Sequence, residues 1–130
     1  MAIKRLEHVG IMVQDIETSI TFYKNILGFS LKGQLDHPNG VIKLAFLGFN
    51  ESDETELELI QGYNDHLPAE GKVHHIALTV DDVEKEYERL KLLDVTFLEK
   101  EITTLPNGAR YIFFSGPDGE WIELFETKTK

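Results

Sequence analysis

The feature that most constrains this chain is an internal repeat whose two copies lie 67 positions apart (75 − 8). Residues 8–17 read HVGIMVQDIE, and residues 75–84 read HIALTVDDVE. Each copy begins with a histidine, alternates aliphatic with other residues, and ends in Asp, an aliphatic residue and Glu. A period of two sends successive side chains to opposite faces of a β-strand. The repeat therefore predicts two strands, each with a histidine at the head of its less aliphatic face.

A second pair of matching stretches follows the first. Residues 57–60 read LELI and residues 122–125 read IELF, so each places one glutamate in an otherwise apolar strand. Glu58 follows His8 by 50 positions (58 − 8), and Glu123 follows His75 by 48 (123 − 75). A unit with a histidine near its start and a glutamate near its end thus occurs twice. Such self-similarity indicates a duplicated structural module.

Turn residues and periodicity predict a β-α-β-β-β order for each copy. Module 1 covers about 1–62, the linker 63–72, and module 2 about 73–126. We predict one α+β domain over 1–130, in which two βαβββ modules form an eight-stranded curved mixed sheet around a metal cleft. The predicted strands of module 1 are 3–13, 29–35, 41–49 and 56–61, with a helix from a cap at Asp15 to about Leu27. Those of module 2 are 73–80, 95–100, 109–115 and 121–126, with a helix over about 82–93.

Composition excludes several classes of protein. The formal net charge of −10 argues against DNA or RNA as a partner, because neutralising phosphates needs a basic surface. The absence of cysteine excludes a disulfide framework and a thiolate metal site, and it suits a reducing cytosol. The sequence contains no long uncharged apolar run of the kind that forms a signal peptide or a membrane span. We therefore expect a cytoplasmic protein with no nucleic-acid or membrane partner.

The two His/Glu pairs predict a site for one divalent metal ion. Imidazole suits zinc, nickel, cobalt and iron, while carboxylates add hard oxygen ligands and offset a 2+ charge. A single strand histidine is more often a hydrogen-bonded core residue, and a single inward glutamate more often forms a salt bridge. Two such residues have no reason to recur at matching positions of both copies. The duplication therefore favours a metal site formed by His8, Glu58, His75 and Glu123.

Other polar and aromatic residues near these positions have two readings each. By strand alternation, His74 is predicted to face away from His75. Arg110 either meets an anionic group of the substrate or forms an ion pair on the sheet surface. Trp121 and Phe125 flank Glu123 on its own face, and they either line a substrate pocket or belong to the core. The sequence contains no glycine-rich phosphate loop and no serine nucleophile motif.

The sequence resembles the vicinal oxygen chelate superfamily, and within it the glyoxalase I (lactoylglutathione lyase) group, over nearly its whole length. The stretches Phe22-Tyr23 and Leu27-Gly28-Phe29 along the first helix and the turn Pro117-Asp118-Gly119 are specific to the superfamily. Occupation of all four ligand positions is more specific still. The resemblance implies paired modules, a metal held by the two His/Glu pairs, and commonly a homodimer. The matching stretches are His8-Val9-Gly10-Ile11, Phe22-Tyr23, Leu27-Gly28-Phe29, Leu57-Glu58-Leu59, His75-Ile76-Ala77, Pro117-Asp118-Gly119 and Ile122-Glu123-Leu124.

The resemblance implies a metal-dependent lyase or isomerase that abstracts a proton next to a carbonyl. The expected conversion is of the hemithioacetal of methylglyoxal into an S-acyl thiol. Glu123 is the expected catalytic base and Glu58 the other candidate, with one Ni, Co or Zn ion per site and Mn or Mg as further options. The alternatives are an isomerase like methylmalonyl-CoA epimerase, acting on a thioester, and a resistance-type protein that binds a drug or metabolite.

Two positions depart from the bacterial glyoxalase I pattern. Met12 lies close to where those enzymes use an arginine to contact the glutathione carboxylate, and Gly62 lies where they have an asparagine. The identity of the thiol carrier therefore stays open. The superfamily also assembles its modules both within and between subunits, so the sequence leaves open whether one chain or two supply the ligands of a site.

Overall fold

The computed structural model describes residues 6–50, 54–63, 66–68 and 73–127. The chain divides into two compact units, Met1–Leu67 and Pro68–Lys130. The boundary between them lies within the predicted linker, 63–72. Residues 3–5 of the predicted first strand and residues 128–130 lie outside the described part, as does most of the linker.

The first unit has the predicted β-α-β-β-β order. It consists of β1 (His8–Val13), α1 (Ile16–Asn25), β2 (Ser30–Asp36), β3 (Lys43–Gly48) and β4 (Glu56–Gln61). The four strands form one mixed sheet in the order β1-β4-β3-β2. Strands β1 and β4 run parallel, and the other two neighbouring pairs run antiparallel. The first and last strands of the unit are therefore neighbours, which brings the start of β1 beside β4.

The apolar face of α1 and the end of β1 are buried, as the sequence predicts. Val13 on β1 and Ile16, Ile20 and Tyr23 on α1 are almost fully buried. Removing these side chains from water is the main favourable contribution to packing of the helix on the sheet. The helix ends before Gly28, whose φ of 83° suits glycine and whose N–H donates to the carbonyl of Lys24 at 3.1 Å.

The second unit repeats this layout with one change. Its elements are β5 (Ile76–Thr79), α2 (Val83–Lys91), β6 (Thr96–Phe97), β7 (Thr103–Thr104), β8 (Arg110–Ser115) and β9 (Trp121–Glu126). The sheet order is β5-β9-β8-β6, with β7 also paired to β8, and β5 runs parallel to β9. The first and last strands of this unit are again neighbours.

Of the predicted strand over residues 95–100 only β6 (Thr96–Phe97) forms, and the additional short strand β7 (Thr103–Thr104) follows it. The N–H of Leu98 still donates to the carbonyl of Phe113 at 3.0 Å. The N–H of Phe113, however, donates to the carboxylate of Glu99 at 3.1 Å. A side chain thus takes the place of a backbone acceptor, and this interrupts the ladder. The described residues therefore contain nine strands in sheets of four and five, where we predicted eight.

The predicted fold class, an α+β fold built from two βαβββ modules, is confirmed. Each sheet is mixed, because one parallel pair joins antiparallel neighbours. The helices α1 and α2 have 10 and 9 residues. Neither of these helices, in the part of the chain that the structure describes, is long and apolar enough to cross a membrane.

Each helix begins with a hydrogen bond from its first N–H to the last residue of the same unit's last strand. The N–H of Ile16 donates to Gln61 Oε1 at 2.7 Å, and the N–H of Val83 donates to Glu126 Oε1 at 2.9 Å. The N-cap aspartates differ between the units. Asp82 accepts from two backbone N–H groups of α2, whereas the side chain of Asp15 makes no backbone cap bond. The predicted cap at Asp15 is therefore in position, but Gln61 does the capping.

Replacing Asp82 with alanine is expected to lower the free energy of unfolding by about 1 kcal/mol, because two N–H groups lose their acceptor. Asp15→Ala is the matched control and should cost less, since it removes only a bond to Thr18 Oγ1. Denaturant titration with an unchanged slope measures both values. Equal losses in the two variants would contradict this account of the caps.

Candidate metal centre

The first His/Glu pair lies where β1 and β4 run side by side. Gly10 of β1 pairs with Glu58 of β4, and His8 is two residues earlier on the same face as Gly10. His8 Nε2 lies 3.6 Å from Glu58 Oε1. A Cβ on Gly10 would come within 3.0 Å of that carboxylate oxygen. The absence of a side chain at residue 10 therefore leaves room for the carboxylate beside the imidazole.

The second His/Glu pair repeats this geometry in the other unit. Ala77 of β5 pairs with Glu123 of β9, and His75 is again two residues before the small residue. His75 Nε2 lies 3.2 Å from Glu123 Oε1. Glu123 is only 7% exposed, and it is one of two buried polar residues in the described part of the chain. Parallel pairing of the first and last strands thus builds the same pair in each unit.

Each pair has a phenylalanine that sequence reasoning missed. Phe46 of β3 pairs with Glu58, and its ring lies 6.2 Å from that of His8 in an edge-on arrangement. Phe113 of β8 pairs with Glu123, and its ring lies 5.0 Å from that of His75. In the sequence, each phenylalanine lies in the strand that precedes the strand of its glutamate. Finding it requires the strand register, which the sequence alone does not give.

Burial and local charge shift the pKa of two residues in these pairs. Burial raises the pKa of Glu123, and the nearby imidazole of His75 opposes part of this rise. The carboxylate of Glu99 adds a smaller upward contribution. The hydrogen bond to Glu7 raises the pKa of His8. Glu123 is therefore a more basic carboxylate than one in water, which suits a group that accepts a proton.

The side chain of His74 does not lie where strand alternation predicted it. We predicted that it faces away from His75, yet the two Nδ1 atoms lie 2.9 Å apart. The prediction is wrong because β5 begins only at Ile76, so that alternation does not apply to the two residues before it. The ring of His74 packs edge-on against Trp121, with 4.7 Å between ring centroids.

The three predicted substrate contacts lie in different surroundings. Arg110 Nη2 and Nε donate to the carboxylate of Glu126 at 2.9 and 3.2 Å, and Nη1 donates to Glu84. These bonds raise the pKa of Arg110, so that it stays charged. Trp121 contacts the rings of His74 and Phe113, and half-buried Phe125 is the register partner of Tyr111. That these three residues contact a substrate stays a prediction.

The donor atoms of each pair suit a divalent transition metal. One imidazole nitrogen and one carboxylate oxygen converge, and this combination fits nickel, cobalt and zinc. In the described residues, His, Asp and Glu side chains form no group of three or more that could hold a metal. A pair supplies two ligands, fewer than the three or four that protein zinc sites use. Each pair therefore offers two of the four ligands that the sequence predicts for one ion.

The sequence matches a known protein family over most of its length. Residues 5–124 match the family model of the glyoxalase/bleomycin resistance protein/dioxygenase superfamily, and the chain belongs to this superfamily. The predicted resemblance to the vicinal oxygen chelate superfamily is thereby confirmed. The chain is 60% identical to YwbC, an uncharacterized protein of Bacillus subtilis, over 95% of this chain and 98% of YwbC. It is 35% identical to the lactoylglutathione lyase of Neisseria meningitidis, over 96% of this chain and 92% of that enzyme.

Solved structures of similar fold include both an enzyme and a binding protein. The trypanothione-dependent glyoxalase I of Leishmania major aligns with a TM-score of 0.78 and 30% identity, covering 95% of this chain and 86% of that one. TnmS3, an antibiotic-binding protein from a Streptomyces species, aligns with a TM-score of 0.80 and 26% identity, covering 98% and 99%. The superfamily thus contains relatives with two kinds of function.

Proposed function

We propose that this chain is a metal-dependent lyase or isomerase of the glyoxalase I type. One divalent cation would take His8, Glu58, His75 and Glu123 as ligands, supplied by one chain or by two chains of a homodimer. The observation that carries the proposal is the same His/Glu pair, in the same strand register, in both units. Two such pairs supply four ligands, and their carboxylates offset the charge of the ion. Nickel, cobalt and zinc fit this set, with manganese or magnesium as further options.

The proposed reaction moves a proton between neighbouring carbons of the hemithioacetal formed by methylglyoxal and a small thiol. When bound, the cation would stabilise the negative charge that develops on the substrate oxygens. Glu123 is the proposed base, because burial raises its pKa even though His75, 3.2 Å from its carboxylate, opposes part of the rise. It would remove the proton next to the carbonyl and return it to the adjacent carbon. The product is an S-acyl thiol with no net gain of protons.

The proposal leaves the thiol carrier open for a structural reason. Gly62 has a φ of 95°, and a Cβ there would lie 2.6 Å from the carbonyl oxygen of Val41. This position therefore excludes the asparagine that the bacterial glyoxalase I pattern has there. Met12 lies close to the position where those enzymes have an arginine. It is 39% exposed, and its uncharged side chain offers no ion pair to a carboxylate. The similar Leishmania enzyme is described as trypanothione-dependent, so the fold is compatible with more than one thiol.

The discriminating experiment is an assay of protein reconstituted with Ni, Co or Zn. We expect it to consume the hemithioacetals that methylglyoxal forms with several small thiols, and to consume the glutathione adduct more slowly than at least one of the others. Exchange of the α-proton of a CoA thioester with solvent, without hemithioacetal turnover, would support the epimerase-like alternative instead. A common control is protein treated with chelator and not reconstituted.

A binding protein is the second candidate function. The observation that favours it is the similarity to TnmS3, which aligns over nearly the whole of both chains. Protein that stays inert in both assays after Ni, Co, Zn and Mn are added back would favour this alternative. Tight binding of a drug-like ligand to the metal-free protein would support it further.

A further inference from the structure

The residue that precedes each histidine of the two pairs contacts the imidazole nitrogen facing away from the paired glutamate. Glu7 Oε1 lies 2.5 Å from His8 Nδ1, while His8 Nε2 faces Glu58. His74 Nδ1 lies 2.9 Å from His75 Nδ1, while His75 Nε2 faces Glu123. The same arrangement thus occurs twice, with a carboxylate in the first unit and an imidazole in the second.

These contacts bear on which nitrogen of each ring is free to bind a cation. A neutral imidazole carries its proton on one nitrogen and a lone pair on the other, and only the lone pair binds a metal. An ionised carboxylate can only accept, so the bond to Glu7 keeps the proton of His8 on Nδ1. The lone pair of His8 then lies on Nε2, on the side of Glu58. Such outer hydrogen bonds orient metal-binding histidines in many proteins.

We propose that Glu7 and His74 are positioning residues that hold His8 and His75 with Nε2 directed at the metal ion. This inference rests on the proposed function. The two residues act differently, because a carboxylate only accepts whereas an imidazole either donates or accepts. Glu7 therefore fixes the His8 tautomer outright. His74 fixes the tautomer of His75 only when the proton of His74 is on Nε2, so that its Nδ1 can accept a hydrogen bond. The contact with Trp121 holds the ring of His74 in place.

The first test observes the metal-free protein, independently of activity. Long-range ¹H–¹⁵N NMR of the histidine side chains, recorded with the rings neutral, reports which nitrogen carries the proton. We expect His8 to be protonated on Nδ1 in the parent protein and in Glu7→Gln, which keeps an acceptor oxygen. Glu7→Ala should lose this preference. An Nδ1–H tautomer that persists in Glu7→Ala would overturn the role of Glu7.

The second test is titration with Co²⁺, followed by its visible absorption spectrum. Glu7→Ala and His74→Ala are expected to raise the apparent Kd about 10–100-fold, the usual cost of losing an outer hydrogen bond to a ligand. Glu7→Gln and His74→Asn should recover most of the affinity, because glutamine keeps an acceptor oxygen at residue 7 and asparagine supplies one at residue 74 in place of the ring nitrogen. The matched control is Glu56→Gln, which removes a nearby charge paired with Lys32 and should leave the Kd unchanged.

The outcomes separate this inference from the proposed function. Unchanged Kd values in both alanine variants, with cobalt bound and activity present in the parent, overturn the inference alone. A parent protein that binds no cation overturns the proposed function, while a lost tautomer preference in Glu7→Ala would still support the hydrogen-bonding role of Glu7. Equal weakening by Glu56→Gln and Glu7→Ala would mean that charge acts in place of the hydrogen bond, and this also overturns the inference.

Discussion

Replacing Glu123 with glutamine is expected to lower kcat by about 10²–10⁴-fold, the usual contribution of a general base. The amide keeps the size of the side chain and an oxygen ligand, but it cannot accept a proton at neutral pH. The fold should persist, because Glu123 is buried and burial disfavours its charged form. Steady-state kinetics, together with metal analysis of the same preparation, measures both effects.

Glu58→Gln is the matched control for this prediction, since Glu58 has the same relation to His8 as Glu123 has to His75. Its carboxylate is more exposed, at 14% against 10% for the side chain of Glu123. We expect Glu58→Gln to retain more activity than Glu123→Gln. Normal turnover in Glu123→Gln would remove this residue from the proton transfer. Loss confined to Glu58→Gln would assign the base to Glu58.

Removing the metal with a chelator is expected to abolish activity, and adding Ni, Co or Zn should restore it. Binding should also stabilise the fold, by about 2.7 kcal/mol when the free ion is at 100 times its Kd. This follows because ions bound only by the folded chain shift the unfolding equilibrium. Thermal or denaturant unfolding with and without the ion measures the stabilisation, and the assay measures activity.

His8→Ala and His75→Ala should each lose most of this stabilisation, because each removes one of the two nitrogen ligands. His37→Ala is the control. His37 lies in an exposed turn, where its Nδ1 accepts a hydrogen bond from the N–H of Asn39 at 3.1 Å. Stabilisation that survives in both pair variants but disappears in His37→Ala would contradict the proposed ligands. Full activity after chelation would contradict metal dependence altogether.

The sequence predicted the modules well because their signals are local. Strands 56–61 and 121–126 were predicted at the observed bounds, since a period of two and flanking turns mark both ends. The helices were placed within two residues at each end, from capping and apolar periodicity. The His/Glu pairs followed from the repeat, and the structure brings the members of each pair within 3.6 and 3.2 Å. The union of both pairs on one ion stays a prediction.

What the sequence determined by itself is the duplicated module and its four metal-binding candidates, because periodicity and repetition can be read from the order of residues without knowing how the strands pair. Only the tertiary structure showed that Phe46 and Phe113 stand beside the pairs, that Glu99 interrupts a strand, and that His74 turns toward His75. These features depend on strand register and on side-chain contacts between neighbouring strands or just before a strand begins. Such contacts are set by packing across the folded chain, and no local pattern of residues encodes them.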